Sequence, residues 1–288
     1  PEELLADANG ALQTVRQALR LIGPLLGAAL YTVVGGWAVA VVAMTGLLVA
    51  AATIAALRVR EARPPRAELR WLAEVGAGLR HVVGLPALRR AVVGVALALL
   101  VLGFLESLIF AYVDRGLHRP PGFVGVLAAV QGTGGVLGGL LAARVVRAVG
   151  ELVALALGVL GFGLGCLGFS HPNLPLGIAA MGVAGVGLPI ATVGFQTLLQ
   201  RLTPAELIGR VSATADALIS GPQAASIAIG AVLVTVVDYR LLLAAMGVTL
   251  VAVAGYLWTG RRLVAAAASG GAGQLGEALL DLEDGRVG

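Results

Sequence analysis

Leu152-Val153-Ala154-Leu155-Ala156-Leu157-Gly158-Val159-Leu160-Gly161-Phe162-Gly163-Leu164-Gly165-Cys166-Leu167-Gly168-Phe169 runs from end to end without a charged side chain. Coiled as a helix at about 1.5 Å per residue, it reaches across most of a bilayer core about 30 Å thick. Barrel strands alternate polar and apolar residues over about ten positions, and this run does not alternate. Similar runs lie near Leu21 to Val34, Trp37 to Leu57, Ala91 to Val113, Phe123 to Val146, Leu174 to Leu199, Leu207 to Val237 and Leu241 to Trp258. The first is short, and its helix is read as beginning upstream, between Leu12 and Arg20. The chain therefore reads as an all-α integral membrane protein, a polytopic helical bundle of about eight spans.

Composition points the same way. The chain is 58% hydrophobic and only 12% charged, with a mean hydropathy of +0.94. Soluble domains carry about 25% charged residues. The single cysteine, Cys166, sits inside an apolar run, which excludes an internal disulfide framework and reads as a small buried hydrophobe. No secretory signal pattern opens the chain, and residue 1 is Pro rather than Met, which suggests a fragment.

Every basic side chain is Arg, since the sequence contains no Lys. With alternating spans, all of them share one face except Arg115, Arg119 and Arg240. The positive-inside rule then places both chain ends in the cytoplasm, and the membrane expected is the cell inner (plasma) membrane. The pI near 10 follows from arginines that flank spans and meet anionic headgroups, so no nucleic-acid partner is implied. Arg58 to Arg90 is the longest polar stretch between spans; after Pro64-Pro65, the stretch Ala67 to Val75 has helical spacing, as for a helix lying on the membrane surface or a simple tether. The expected organisation is residues 1–57 as two helices of an N-terminal bundle, 58–90 as a cytoplasmic linker, 91–262 as a six-helix C-terminal bundle and 263–288 as a cytoplasmic tail.

The opening Pro1-Glu2-Glu3-Leu4, running on to Gly27-Ala28-Ala29-Leu30-Tyr31-Thr32-Val33-Val34, recurs at an offset of 203 as Pro204-Ala205-Glu206-Leu207, running on to Gly230-Ala231-Val232-Leu233-Val234-Thr235-Val236-Val237. A period that long exceeds any solenoid repeat and suits a transporter built from two similar halves. The first copy holds Gly10, Gly23, Pro24 and Gly27, with Leu19 and Ala28 interrupting a longer glycine pattern. This spacing resembles the antiporter motif of the major facilitator superfamily. Ala77 to His81 with Pro86 to Arg90, and more specifically Gln196 to Val211, are similar to segments of that superfamily's branch of enterobactin exporters and macrolide-efflux proteins.

The resemblance implies a major facilitator fold lacking its first four helices, with this chain covering helices five to twelve and the missing N-terminal helices as its partners. It also implies efflux, since the motif marks exporters; Gly and Pro there would weaken the helix and let a neighbour approach, or make only a packing notch. One departure concerns the loop Gly139 to Glu151, where Arg147 stands in the place of the usual Asp and Glu151 in that of an Arg. No gating role is carried over to it.

Ionisable groups within spans are candidate sites. Glu106, about 22 Å into its span, could exchange protons or face a wet vestibule beside Arg115 or Arg119. Asp216 lies about 9 Å beyond Arg210, where the helix dipole and the arginines favour an anion. Gln131, Gln196, Gln200 and Gln223 could line a substrate cavity or bond helix to helix, and Gln196 and Gln200 share a face at i, i+4. Gly221-Pro222 beside Gln223 predicts a helix break near mid-membrane. His81, His118 and His171 all fall in loops, so no metal site and no cofactor is expected, and no catalytic cluster points to an enzyme. The expected function is proton-coupled efflux of a small amphipathic molecule by alternating access, its partners being the lipid bilayer, the small-molecule substrate and protons. The alternatives are a facilitator or importer of the same fold, or a truncated membrane remnant that does not transport.

Overall fold

The computed structural model describes residues 9, 11–16, 18–19, 22–23, 30, 34–56, 71–120, 122–204 and 206–262. Among the described residues every regular element is helical. The helices are α1 (Gly36–Ala56), α2 (Trp71–Gly84), α3 (Pro86–Leu102), α4 (Leu105–Ala111) with a π-helical turn Tyr112–Gly116, α5 (Phe123–Val149), α6 (Glu151–Phe169), α7 (Leu174–Arg201), α8 (Ile208–Val236) and α9 (Tyr239–Thr259). Of these, α1, α5, α6, α7, α8 and α9 are each long and apolar enough to cross a bilayer.

Local chemistry sets the helix starts. Pro86 opens α3 after an extended Leu85, where a missing N–H costs nothing because the first-turn N–H groups have no partners within the helix. Asn173 caps α7, its Oδ1 accepting from the Leu176 N–H at 3.0 Å. Asp238 caps α9 by accepting from the Arg240 N–H at 2.7 Å. Between α5 and α6 there is only Gly150, held at φ +85°, a backbone angle that favours glycine.

At the heart of the bundle α7 packs against α6 on one side and α5 on the other; α9 lies on α6, and α3 contacts both α8 and α9. Glycine permits these crossings: a β-carbon at Gly134 of α5 would lie 2.6 Å from the Gly182 carbonyl oxygen of α7. Helices in lipid gain little from burying apolar surface against each other, so such close backbone approach supplies the packing. Large apolar side chains such as Trp37, Leu47, Leu140 and Val232 point outward, as a lipid-facing surface requires.

Contacts at the two ends of the bundle show consecutive spans reversing direction. At one end Glu151, the start of α6, pairs with Arg201, the end of α7, at 2.7 Å. There too the Arg90 Nε donates to the Tyr256 carbonyl at 2.6 Å, and Gly260, after α9, closes on Arg90 and Leu152. At the other end Tyr112 packs on Phe169 with centroids 5.1 Å apart, and its hydroxyl donates to the Asn173 carbonyl at 3.3 Å. Arg144, Arg147, Arg210, Arg261 and Arg262 join the first end, whereas Arg115, Arg119 and Arg240 occupy the second.

Three expectations are corrected. The third span is not one regular α-helix from Ala91 to Val113: it begins at Pro86, its regular hydrogen bonding breaks at Gly103-Phe104 while the backbone there stays right-handed helical, and it finishes in the π turn. The break predicted at Gly221-Pro222 is absent, because α8 runs through Pro222 unbroken; a single lost backbone bond is tolerated where the flanking turns are intact. Of the two readings of the linker, helix or tether, its described part is helical: α2 turns by 106° into α3 and packs on α8. His81, expected in a loop, instead stands in the last turn of α2, its Nε2 3.0 Å from the Leu202 carbonyl oxygen. Most of the first expected span, with Ala67 to Arg70 of the linker and the tail 263–288, lies outside the described residues.

Candidate functional site

Two cavities adjoin one another beside α7. The first, about 200 Å³, is lined by α3, α6, α7, α8 and α9, is partly open and has mainly apolar walls. Its polar side chains are Thr192, Gln196 and Asp216. The second, about 170 Å³, lies between the opening segment and α7, with Asn9, Gln13 and Arg16 on one wall and Thr192, Gln196 and Gln200 on the other. Thr192 and Gln196 border both, so the apolar chamber adjoins the polar one across their side chains.

Helical geometry produces this polar seam. Thr192, Gln196 and Gln200 recur every four residues and fall on one face of α7. Asn9, Gln13 and Arg16 stand at i, i+4 and i+7, which is again one helical face. Asn9 Nδ2 donates to Gln200 Oε1 at 2.9 Å and to Thr197 Oγ1 at 3.3 Å, while Thr14 meets the backbone of α5 at Gly139. These contacts hold the opening segment against the end of the bundle where Arg201 lies.

The residues singled out in the sequence are dispersed unevenly. Gln196 and Gln200 lie on the seam, and Asp216, the ninth residue of α8, borders the apolar cavity. Asp216 is exposed, and among the described residues it has neither an ion-pair nor a hydrogen-bond partner. Gln131 stands outside both cavities, its backbone packed on Gly185 of α7. Gln223 sits at the broken third span, its carbonyl oxygen 2.9 Å from where a β-carbon on Gly103 would be. Glu106 lies in α4 just beyond that break; its side chain is outside the described residues. Gly23 is helical, and among the described residues nothing lies within 4 Å of a β-carbon added to it. Gly10, Pro24 and Gly27 lie outside the described residues.

Sequence reading passed over Asn9, Gln13, Arg16 and Thr192. Their helical spacing was the available signal, although spacing alone does not say which helix a face will meet.

No protein-family model matches the chain, and no curated protein matches it in sequence. In structure it is similar to a bacterial homologue of the iron transporter ferroportin, crystallised in an outward-facing state, with a TM-score of 0.68 at 17% identity. The match covers 90% of this chain and 64% of that one. The chain is thus an all-α polytopic integral membrane protein with the major facilitator fold.

Proposed function

We propose that this chain acts in a secondary active transporter that exports a small amphipathic molecule in exchange for protons by alternating access. The observation that carries this reading is the paired cavity: an apolar chamber within one bundle shares Thr192 and Gln196 with a polar chamber. Its far wall, the opening segment, is joined to α7 by the Asn9 hydrogen bonds to Gln200 and Thr197. Side-chain hydrogen bonds between separately packed elements can be exchanged for water when one side opens, as alternating access requires. Ferroportin is named for iron, but apolar walls offer a metal ion few donors, which favours an organic cargo here.

In this reading the Arg-rich end faces the cytoplasm, together with both chain ends, and the membrane is the inner (plasma) membrane. Residues 1–57, 58–90, 91–262 and 263–288 take the parts expected of them, in a protein of the enterobactin and macrolide exporter branch. Glu106 carries the proton, Gly10, Gly23, Pro24 and Gly27 let the opening helix bend, and Gln131, Gln196, Gln200, Asp216 and Gln223 line or brace the path. Proteoliposomes with an imposed proton gradient test the whole reading. Uptake of a fluorescent amphipathic dye should follow the gradient and lose that dependence in Glu106→Gln; uptake indifferent to the gradient defeats antiport, and no uptake defeats transport by this chain.

Asn9→Ala removes two hydrogen bonds at the Arg-rich end. Each is worth about 0.5–1.5 kcal/mol net, so this end is expected to open more often. A cysteine placed at Thr192 should then react several-fold faster with a membrane-impermeant maleimide added from that side, and an unchanged rate would argue against a closure role for Asn9.

A further inference from the structure

We infer that the apolar cavity is a binding pocket for the single ring of a small arylalkylammonium ion, whose charged head is received by Asp216. Five helices contribute to its wall, with Leu99, Phe162, Phe195, Ile219 and Leu250 each coming from a different one. At about 200 Å³ it is small beside drug-sized pockets of about 300–1,000 Å³. A closed apolar cavity of about 150 Å³ accepts a benzene-sized guest, so this partly open one has room for a single ring. Close contact between a ring and these apolar walls would supply dispersion attraction.

The charge of the guest follows from the wall. Among the described residues Asp216 is the one charged side chain that borders this cavity, and it has no partner there. An ammonium group beside it would complete a charge-assisted hydrogen bond. Arg16 borders only the neighbouring polar chamber, beyond Gln196, and so leaves the preference of the apolar chamber cationic. Thr192 and Gln196, shared by the two chambers, form the doorway through which the guest enters. Cargo thus binds inside one bundle rather than solely in a cleft between bundles. That the bound ion is also moved rests on the transporter reading above; the pocket itself does not.

The test is calorimetric titration of the 288-residue chain in lipid nanodiscs with phenethylammonium. Saturable binding is expected, weaker by about ten-fold or more for 3-phenylpropionate, which keeps the ring and reverses the charge, and for ethylammonium, which lacks the ring. Asp216→Asn should weaken phenethylammonium binding to a similar degree, and Asp216→Glu should restore most of it. Val159→Phe, which fills the chamber, should abolish binding while thermal unfolding remains cooperative; should it fail to fold, the charge-reversed probe and the Asp216 pair decide alone. A flat titration, equal affinity for 3-phenylpropionate, or unchanged binding in Asp216→Asn overturns the pocket. Dye transport without phenethylammonium binding defeats this inference and leaves the transporter reading standing; binding without any transport does the reverse.

Discussion

Gly158→Ala is expected to lower the melting temperature of the purified protein by several degrees, whereas Gly161→Ala, one turn along the same helix, should leave it unchanged or raise it. The two sites face different surroundings. A methyl group at 158 would meet the Ala191 backbone nitrogen at 2.5 Å and the Ala191 β-carbon at 2.6 Å, with the Gly187 carbonyl also in its way. At 161 the nearest atom is the Val183 carbonyl oxygen at 3.5 Å, an ordinary contact. Two of the three obstacles at 158 are backbone and cannot rotate aside, so α6 and α7 must separate. Overpacking of this kind costs about 1–3 kcal/mol. The helix-propensity gain of about 0.8–1 kcal/mol from Gly to Ala offsets part of that at 158 and is unopposed at 161. Gly158→Val should go further and prevent recovery of monodisperse protein. Equal melting temperatures for the two alanine variants would mean that α6 and α7 do not depend on this crossing.

The spans that were legible in sequence are those whose apolar runs are uninterrupted. Leu152 to Phe169 and Leu174 to Leu199 reappear nearly residue for residue as α6 and α7, because a membrane leaves an apolar run little choice but a helix. The broken third span was not legible. Its interruption at Gly103 sits against the Ser226 side chain and the Gln223 carbonyl of α8, a tertiary contact that local sequence does not encode. Pro222 misled in the opposite direction. It carries a strong local breaking signal, yet it lies within a helix of 29 residues that continues on both sides.

Legibility of the cavities divides similarly. Gln196 and Gln200 stand out because neutral hydrogen-bonding groups at i, i+4 within an apolar run are conspicuous. The matching stripe of Asn9, Gln13 and Arg16 has the same helical spacing, but only the fold brings it against α7. An apolar chamber has no sequence signature at all. It is what remains when five helices meet and their side chains do not fill the centre, and Asp216 gains its meaning from bordering that space.

Removing the partner of Glu151 is expected to destabilise the protein by about 1–3 kcal/mol. Glu151 begins α6, where the first N–H groups have no partners within the helix and favour an anion. Its side chain is 8% exposed, while that of Arg201 is 47% exposed, and the two meet at 2.7 Å. This asymmetry sets the magnitude. Water reaches the guanidinium and screens it, which keeps the loss below the 3–5 kcal/mol of a fully buried pair. The carboxylate cannot turn to bulk water once the cation is gone. Arg201→Met should therefore lower the melting temperature, and Glu151→Gln added to it should recover part of the loss, because an amide needs no countercharge. Arg201 makes a further interaction, so the two single variants and the double must be measured together to isolate the pair. Position gives the pair a second readout. Gln200, which holds Asn9 at 2.9 Å, immediately precedes Arg201, so loosening the end of α7 should also raise maleimide labelling at Thr192→Cys, as Asn9→Ala does. Strictly additive losses in the cycle, with labelling unchanged, would reduce Glu151 and Arg201 to neighbours that do not depend on each other.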